Sequence, residues 1–477
     1  MPSDNGSADS TAATAQGKLA HDKTVPSSPD IQAAPAGRRL PLPALLVMAL
    51  MGFILIATET MPAGLLPQIA AGLSVAEGTA GQLVSTYALG TVVLTIPAIA
   101  LTRGMRRKPV FLIGILGFLL VNTIAAFSHD IWLTLAVRFA AGAFSGLLWG
   151  MLAGYARRIT APEMAGRALA IASIGTPLGL AVGTPFGSWL GSTFDWRWSF
   201  GALSLLTLAA LVLAWMLVPD APGQRAESQI PMLKVFAIPG VSVILLVIFA
   251  WKLAHNTFYT YIAAYLRSAK NVLAVDVALV IFGLSALIGL WITGMVIDRA
   301  PRLLVLASLS TFLTAGVVFF CGAHSIVAIV MALILWGVAF GGAAPQLQTF
   351  ISEAGGENAD VANSLLGVAF NVAIFFAGVL GAVLISSFDG MVLPVLMIGL
   401  AAAALAVVFT ARRAAFPLPS LTLLRLNLGA QSPPERPSGP VAGVKISPAM
   451  LPALPRGSTP RGFHPAKASR LPRARPA

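Results

Sequence analysis

The sequence predicts an all-α membrane protein of twelve transmembrane helices, arranged as two pseudo-symmetric six-helix bundles. Three observations predict it. Only 10% of the 477 residues are charged and 57% are hydrophobic, with a mean hydropathy of +0.84, whereas soluble domains carry about 25% charged residues. Apolar runs of about 20 residues, the length that crosses a bilayer, recur along most of the chain. Short sequence echoes link its first half to its second.

The elements follow in order. Residues 1–39, rich in Ser, Ala, Thr, Asp and Pro, lack periodicity and are expected to form a disordered cytoplasmic segment. The first apolar run is too long for a signal-peptide core and has no convincing cleavage site after it. Spans are expected near 42–68, 80–101, 110–128, 131–154, 166–190 and 198–217, then near 237–265, 273–297, 303–321, 324–347, 361–386 and 390–411. The longest polar break, 218–235, reads as a cytoplasmic linker between an N-terminal bundle (40–217) and a C-terminal one (236–413). Residues 414–477 read as a disordered, Pro-rich, basic tail, and attraction to anionic lipid adds about 1 kcal/mol per basic residue near the surface.

Charge placement orients the chain. The net charge of +13 sits mostly in tails and short loops, so it reads as a topology signal and excludes a nucleic-acid partner. With the N-terminus inside, Arg103, Arg106, Arg107, Lys108, Arg157, Arg158, Arg167, Arg225, Lys234, Arg299 and Arg302 lie on the cytoplasmic side. Only Arg197, Arg267 and Lys270 face the other way. An even span number then puts both termini in the cytoplasm. Cys321 is the only cysteine, which excludes an intrachain disulfide and a Cys-based zinc site. No phosphate-binding GxxxxGK[ST], dinucleotide GxGxxG, HExxH or GxSxG pattern occurs. ATP hydrolysis and enzymatic catalysis are therefore not expected, no cofactor or metal is implied, and an ion gradient is the remaining energy source.

Two echoes tie the halves. Leu148-Trp149-Gly150 through Gly154 and Leu335-Trp336-Gly337 through Gly341 both read LWGxxxG, and the basic loops around Arg107 and Arg302 align. Corresponding spans run in the same direction, which is a parallel repeat about an axis along the membrane normal. The loop Gly294 to Arg302 (GMVIDRAPR), the segment Leu135 to Gly146 (LAVRFAAGAFSG) and the Gly/Pro segment Gly179 to Gly191 (GLAVGTPFGSWLG) resemble signatures of the major facilitator superfamily. Thr58 to Ala70 (TETMPAGLLPQIA), Ala80 to Gly90 (AGQLVSTYALG), Asp195 to Phe200 (DWRWSF), His255 to Ile262 (HNTFYTYI) and Phe370 to Gly381 (FNVAIFFAGVLG) resemble its bacterial drug, arabinose and sugar efflux branch. The resemblance spans roughly residues 40–411 and implies a monomeric proton-coupled exporter of the bacterial inner membrane. It departs at Arg103, where the family usually places Asp, so a gate built on that Asp should rest on Asp298 alone.

Charged side chains within spans cost about 2.5–3.5 kcal/mol on insertion scales and are functional candidates by default. Glu59 is the only acid clearly within a span. A carboxyl in a poorly hydrated cavity can exchange its proton within the physiological range, and the efflux branch shows a similar Thr-Glu pair there. The alternative is a Glu near the outer end of its span that reaches water. Arg138 resembles the family's span-4 Arg, proposed to join a proton relay, or is a fixed cation that binds carbonyls. Lys252 and His255 either line the cavity or are structural, Lys252 by snorkelling or pairing with Glu59 and His255 by hydrogen-bonded packing. Asn256, Thr257, Tyr259 and Tyr261 cluster beside His255, and mixed polar and aromatic groups suit a sugar or nucleoside. Tyr87, Trp149, Gln346, Gln348, Asn363 and Asn371 can extend that surface or serve interhelical packing.

Gly179, Gly183 and Pro185 mark a helix that permits close approach and bending, a conformational role that the resemblance supports. Asp298, Arg299 and Arg302 form the gating loop. The expected mechanism is alternating access with protons and small molecule in opposite phases. A symporter or uniporter on the same scaffold and a membrane sensor without transport are the alternatives.

Overall fold

The structure, a computed structural model, describes residues 40–102, 104–223, 232–411 and 415–416. The segment expected at 1–39, Arg103, positions 224–231 of the linker (Arg225 among them) and nearly all of the tail lie outside the described residues. Two compact units divide the chain, Met1–Ser420 and Leu421–Ala477, and the account below concerns the first.

Hydrocarbon offers no hydrogen-bond partner, so a buried backbone must satisfy itself, and an apolar chain does so as helices. Twelve helices are long and apolar enough to cross a membrane, and among the described residues no strand occurs. They are α1 (Leu42–Gly64), α2 (Glu77–Thr102), α3 (Arg107–Phe127), α4 (Ile131–Arg158), α5 (Pro162–Thr193) and α6 (Trp196–Leu217), then α7 (Pro239–Thr260), α8 (Val275–Val296), α9 (Pro301–Cys321), α10 (Ile326–Gly355), α11 (Ala359–Ser387) and α12 (Val392–Thr410). Polar side chains fix several starts. Asp130, Asp195 and Ser325 accept the N–H groups of Leu133, Arg197 and Ala328 at the heads of α4, α6 and α10, which supplies acceptors for otherwise orphaned donors.

The sequence repeat is real, but one of its echoes is out of register. Gly142 on α4 lies against Tyr87 and Thr91 of α2, and Gly146 against the Thr95 and Thr91 side chains; Gly337 on α10 lies against Phe282 and Ala286 of α8, and Gly341 against Ala286. One shift of 195 positions carries Gly142 to Gly337, Gly146 to Gly341, Tyr87 to Phe282 and Thr91 to Ala286. The LWGxxxG echo pairs Leu148 with Leu335, two turns away from that register. Gly150 meets only the Ile99 side chain and Gly154 meets nothing, whereas Gly337 is pressed on backbone. The small-residue spacing, not the shared Leu-Trp, is the true correspondence, because backbone-to-backbone approach is what a bulky residue would abolish. The Arg107–Arg302 alignment keeps the 195 register at the heads of α3 and α9.

The first helices of the two halves match as well, one position off that register. α1 breaks at Leu65 and α7 at Tyr261, and each continues as a seven-residue helix, Leu66–Gly72 and Ile262–Ser268. Pro67 explains the first break, since it cannot donate to the carbonyl four residues back. Tyr261 holds the second through its hydroxyl, which donates to the Gly378 carbonyl at 2.7 Å. The two halves meet where α2 packs on α11, α5 on α8 and α1 on α7. The contacting residues named below sit toward the ends remote from Leu42 and Thr410. The end carrying Leu42 and Thr410 is the near end, and the opposite one is the far end.

Candidate functional site

Glu59 lies on α1, and because α1 continues to Gly72 it sits near mid-membrane, about 26 Å along the axis from Leu42, not at the outer end. It is half-buried and lies within electrostatic reach of Lys252 on α7 and Arg138 on α4. Among the described residues no ion pair within 4.0 Å joins it to either. The acid and the two cations thus interact at more than 4.0 Å.

Arg138 is 1% exposed. Its Nε donates to the Leu83 carbonyl at 3.1 Å and its Nη1 to the Thr58 carbonyl at 2.9 Å, and its guanidinium lies 4.5 Å over the Tyr87 ring. The Thr58 contact has a local cause. A helix carbonyl bonds the N–H four residues on, but that residue is Pro62, inside α1. Arg138 supplies the donor that Pro62 lacks, and in doing so fixes the backbone next to Glu59. Proline four residues after Thr58 was a signal available in the sequence and unused there.

Lys252 is half-buried, with Nζ 5.2 Å from the Phe340 ring and 5.3 Å from the Phe370 ring, an arrangement that favours a cation electrostatically. His255 stacks on Phe340 with centroids 3.5 Å apart and planes at 7°. Its Nδ1 accepts the Trp336 Nε1–H at 3.0 Å, so that nitrogen carries no proton and the ring is neutral. Counting six residues back from each break places Glu59 and His255 at matched positions of the two halves. One half holds an acid there and the other a stacked imidazole.

Asn256 is 5% exposed with no partner for Oδ1 among the described residues. Tyr259 is buried among His255, Phe282 and Trp336, with its hydroxyl directed toward Thr60 and Thr184. Those two hydroxyls bond each other at 2.5 Å, joining α1 to α5 beside Glu59. Two hydroxyl residues so far apart in sequence give no signal that they meet. Tyr87 is buried under Arg138. Trp149 is half-buried against the core of the first half. Asn371 is half-buried on α11, and its Nδ2 donates to its own helix at the Gly367 carbonyl. Gln346 is committed to Thr293 and Ser308 near the near end. Glu59, Arg138, Tyr87, Lys252, His255, Asn256 and Tyr259 therefore gather at mid-depth.

Of the gating residues, Gly179 and Gly183 bound a π-helical turn. Pro185 has no N–H for the Ala181 carbonyl, and a widened turn accommodates that loss. Gly179 sits against Phe53 and Ile56, and Gly183 against Phe53 and Ala57, so the irregular turn of α5 packs directly on α1. Asp298 and Arg299 are exposed at the near end, Arg299 donating to the Met295 carbonyl at 3.0 Å. Arg302 is 5% exposed and donates to the carbonyls of Phe416, Val408 and Phe409, so it holds the chain leaving α12.

The first half has a parallel arrangement around the chain leaving α6. Arg106 pairs with Asp220 at 2.5 Å, the Arg107 N–H donates to the Ala221 carbonyl, and Tyr155 and Arg158 donate to the carbonyls of Pro219 and Pro222. Partial burial opposes ionisation of Asp220, but the N–H groups of Lys108 and Ala221 and the Arg106 guanidinium outweigh it and hold the carboxyl below its usual range.

Twelve apolar helices around a group of opposed charges mark a multi-pass membrane protein. A model of the Major Facilitator Superfamily matches residues 48–378, and the chain belongs to that superfamily. A probable sugar efflux transporter of Helicobacter acinonychis (strain Sheeba) is 25% identical over 355 residues, which cover 73% of this chain and 90% of that protein. A chloramphenicol efflux pump of Mycobacterium tuberculosis (strain CDC 1551 / Oshkosh) is 28% identical over 365 residues, covering 71% and 84%. In structure, a mutant of the nucleoside transporter NupG superposes with a TM-score of 0.61 at 13% identity, covering 78% of this chain and 99% of that one, a likeness of fold.

Proposed function

We propose that the protein exports uncharged, hydroxyl-bearing small molecules of the sugar or drug-like class by proton antiport. The observation that carries the reading is the unpaired facing of Glu59 and Lys252 at mid-depth. A neutral hydroxylated solute can donate to the carboxylate and accept from the ammonium at once. Protonation of Glu59 replaces the charged acceptor with a weaker neutral one, so proton and solute compete at one site, and that competition is what coupled exchange requires. Arg138 positions the Glu59 backbone, while Asn256, Tyr259, Tyr87 and His255 complete the polar and aromatic lining, with Trp149 and Asn371 toward the entrance. The sugar and chloramphenicol exporters among the relatives support this class, since both cargoes are neutral and hydroxylated.

In this reading, residues 40–217 and 236–413 rock as bodies around the site. The π turn at Gly179–Gly183 with Pro185 provides compliance, and Asp298, Arg299 and Arg302 secure the near end. The near end is cytoplasmic and the membrane is the bacterial inner membrane, as the Lys and Arg distribution indicates; the protein acts as a monomer. The test uses inside-out membrane vesicles with an inward-acid gradient and a panel of pentoses, nucleosides, chloramphenicol and organic cations. Uptake of neutral hydroxylated compounds that dissipates the gradient supports the reading. Uptake confined to organic cations, or uptake that leaves the gradient intact, refutes it.

A further inference from the structure

Two sequence segments singled out above, Ala80–Gly90 and Phe370–Gly381, reach the mid-depth site through Tyr87 and Phe370, and toward the far end the structure packs them against each other. On α2, Gln82 donates to the Gly378 carbonyl at 3.3 Å and Ser85 to the Phe375 carbonyl at 3.0 Å. Gly78 lies against Ala382, and Gly81 against the Tyr261 ring and hydroxyl. Residues 78, 81, 82 and 85 recur at three- and four-residue spacing and so share one face of α2. This small-residue face brings one half directly onto the other, and its polar groups reach across to backbone carbonyls.

At the rim of this seam, Glu77 at the head of α2 pairs with Arg267 in the short helix beyond α7, Oε2 to Nη2 at 2.5 Å. The pair joins the two halves. It stands over a cavity of about 590 Å³ whose wall includes Thr79, Gln82, Ser268, Ser386 and Asp389. Asp389 is committed elsewhere, accepting the Met391 N–H, so Glu77 is the acid that meets Arg267. Every contact just described spans or borders the boundary between halves, and all must part for the mid-depth site to open toward the far end.

We infer that Glu77 and Arg267 form an electrostatic clasp that holds the far-end gate shut, with the Gly78–Ser85 face of α2 as the seal behind it. The clasp is specific to the state seen here, because rocking of one half against the other lengthens it first. As an exposed pair it contributes modestly, which suits a gate that must open in each cycle. Its loss should raise the population open at the far end about three- to five-fold. The inference rests on alternating access but not on the cargo or on proton coupling.

The experiment uses the full chain in right-side-out vesicles, with Cys321→Ser to remove the native thiol and Ser85→Cys as a reporter. Ser85 is 1% exposed inside the seam, so a membrane-impermeant maleimide reaches it only when the seam opens. The expected result is labelling about three- to five-fold faster in Glu77→Gln and in Arg267→Gln, and near the parent rate in the exchanged pair Glu77→Arg with Arg267→Glu. Parent-rate labelling of the single variants would overturn the clasp. Exchanged-pair labelling as fast as in the single variants would overturn the pairing. Neither outcome depends on transport, so failure here is distinct from failure of the antiport reading.

Discussion

The contact between Arg138 and Thr58 makes a quantitative prediction. Replacing Arg138 with Met removes the donor at 2.9 Å from the Thr58 carbonyl, and Pro62 cannot replace it. A buried carbonyl left without a partner costs about 1–3 kcal/mol. If Pro62 is first changed to Ala, residue 62 regains an N–H positioned for that carbonyl, and the penalty of the second change should shrink. The expected coupling in the cycle Arg138→Met, Pro62→Ala is therefore about 1–2 kcal/mol, with the double variant more stable than the single effects sum to. Losses common to both backgrounds, including the Leu83 bond and the Tyr87 contact, cancel. The assay is equilibrium unfolding of purified protein in mixed micelles, followed by circular dichroism. Additivity within about 0.5 kcal/mol, the range for independent sites, would refute the reasoning that Arg138 compensates for the proline.

Three further predictions follow from the packing and the near-end clamp. Gly142→Val and Gly337→Val, each forced onto a facing backbone carbonyl, should each destabilise by about 1–3 kcal/mol, while Gly154→Ala, with open space around it, should be neutral or slightly stabilising in the same unfolding assay. His255→Phe should orphan the buried Trp336 N–H and cost about 1–3 kcal/mol, and adding Trp336→Phe should recover part of that loss. For Asp220, the folded carboxyl titrates below the ordinary value of about 3.9. Its contribution is then present above that value and lost as pH falls through the lower folded one. Amide exchange at Lys108 and Ala221, corrected for intrinsic rates, should stay protected from pH 7 to about pH 5 and weaken only below about pH 4, and Asp220→Ala should remove that protection at every pH.

The fold was legible because lipid makes one demand, and the chain answers it with runs of apolar residues long enough to cross. Span ends were less so. α10 runs to Gly355, beyond the expected 347, through a polar, amphipathic stretch, and the first helix continues after its break to Gly72, beyond the expected 68, which favours the cavity reading of Glu59 over the outer-end alternative. The repeat was visible, but its register was misplaced by a shared Leu-Trp. What the two halves have in common is a glycine spacing that lets backbones touch, and such spacing is less conspicuous than a tryptophan.

The charged members of the site were found by scarcity, since few ionisable groups occur in the spans. Their surroundings were not. That Phe340 lies beside both Lys252 and His255, that Thr60 meets Thr184, and that Arg302 turns to the end of α12 all depend on which helix faces which, and hydropathy carries no such information. The Glu77–Arg267 clasp escaped for the same reason, because both residues sit in loop-proximal positions where charge is ordinary.

The central claim is that Glu59 carries the proton which competes with solute. The most direct measurement compares the native chain with Glu59→Gln in proteoliposomes, using one transported solute from the vesicle panel. Two modes are recorded: accumulation driven by a pH gradient, and exchange of labelled for unlabelled solute with no gradient. The account predicts that Glu59→Gln loses gradient-driven accumulation while keeping solute exchange at higher solute concentration, because the amide oxygen still accepts a weaker hydrogen bond but the site no longer senses protons. Gradient-driven accumulation at the native level in Glu59→Gln would contradict it.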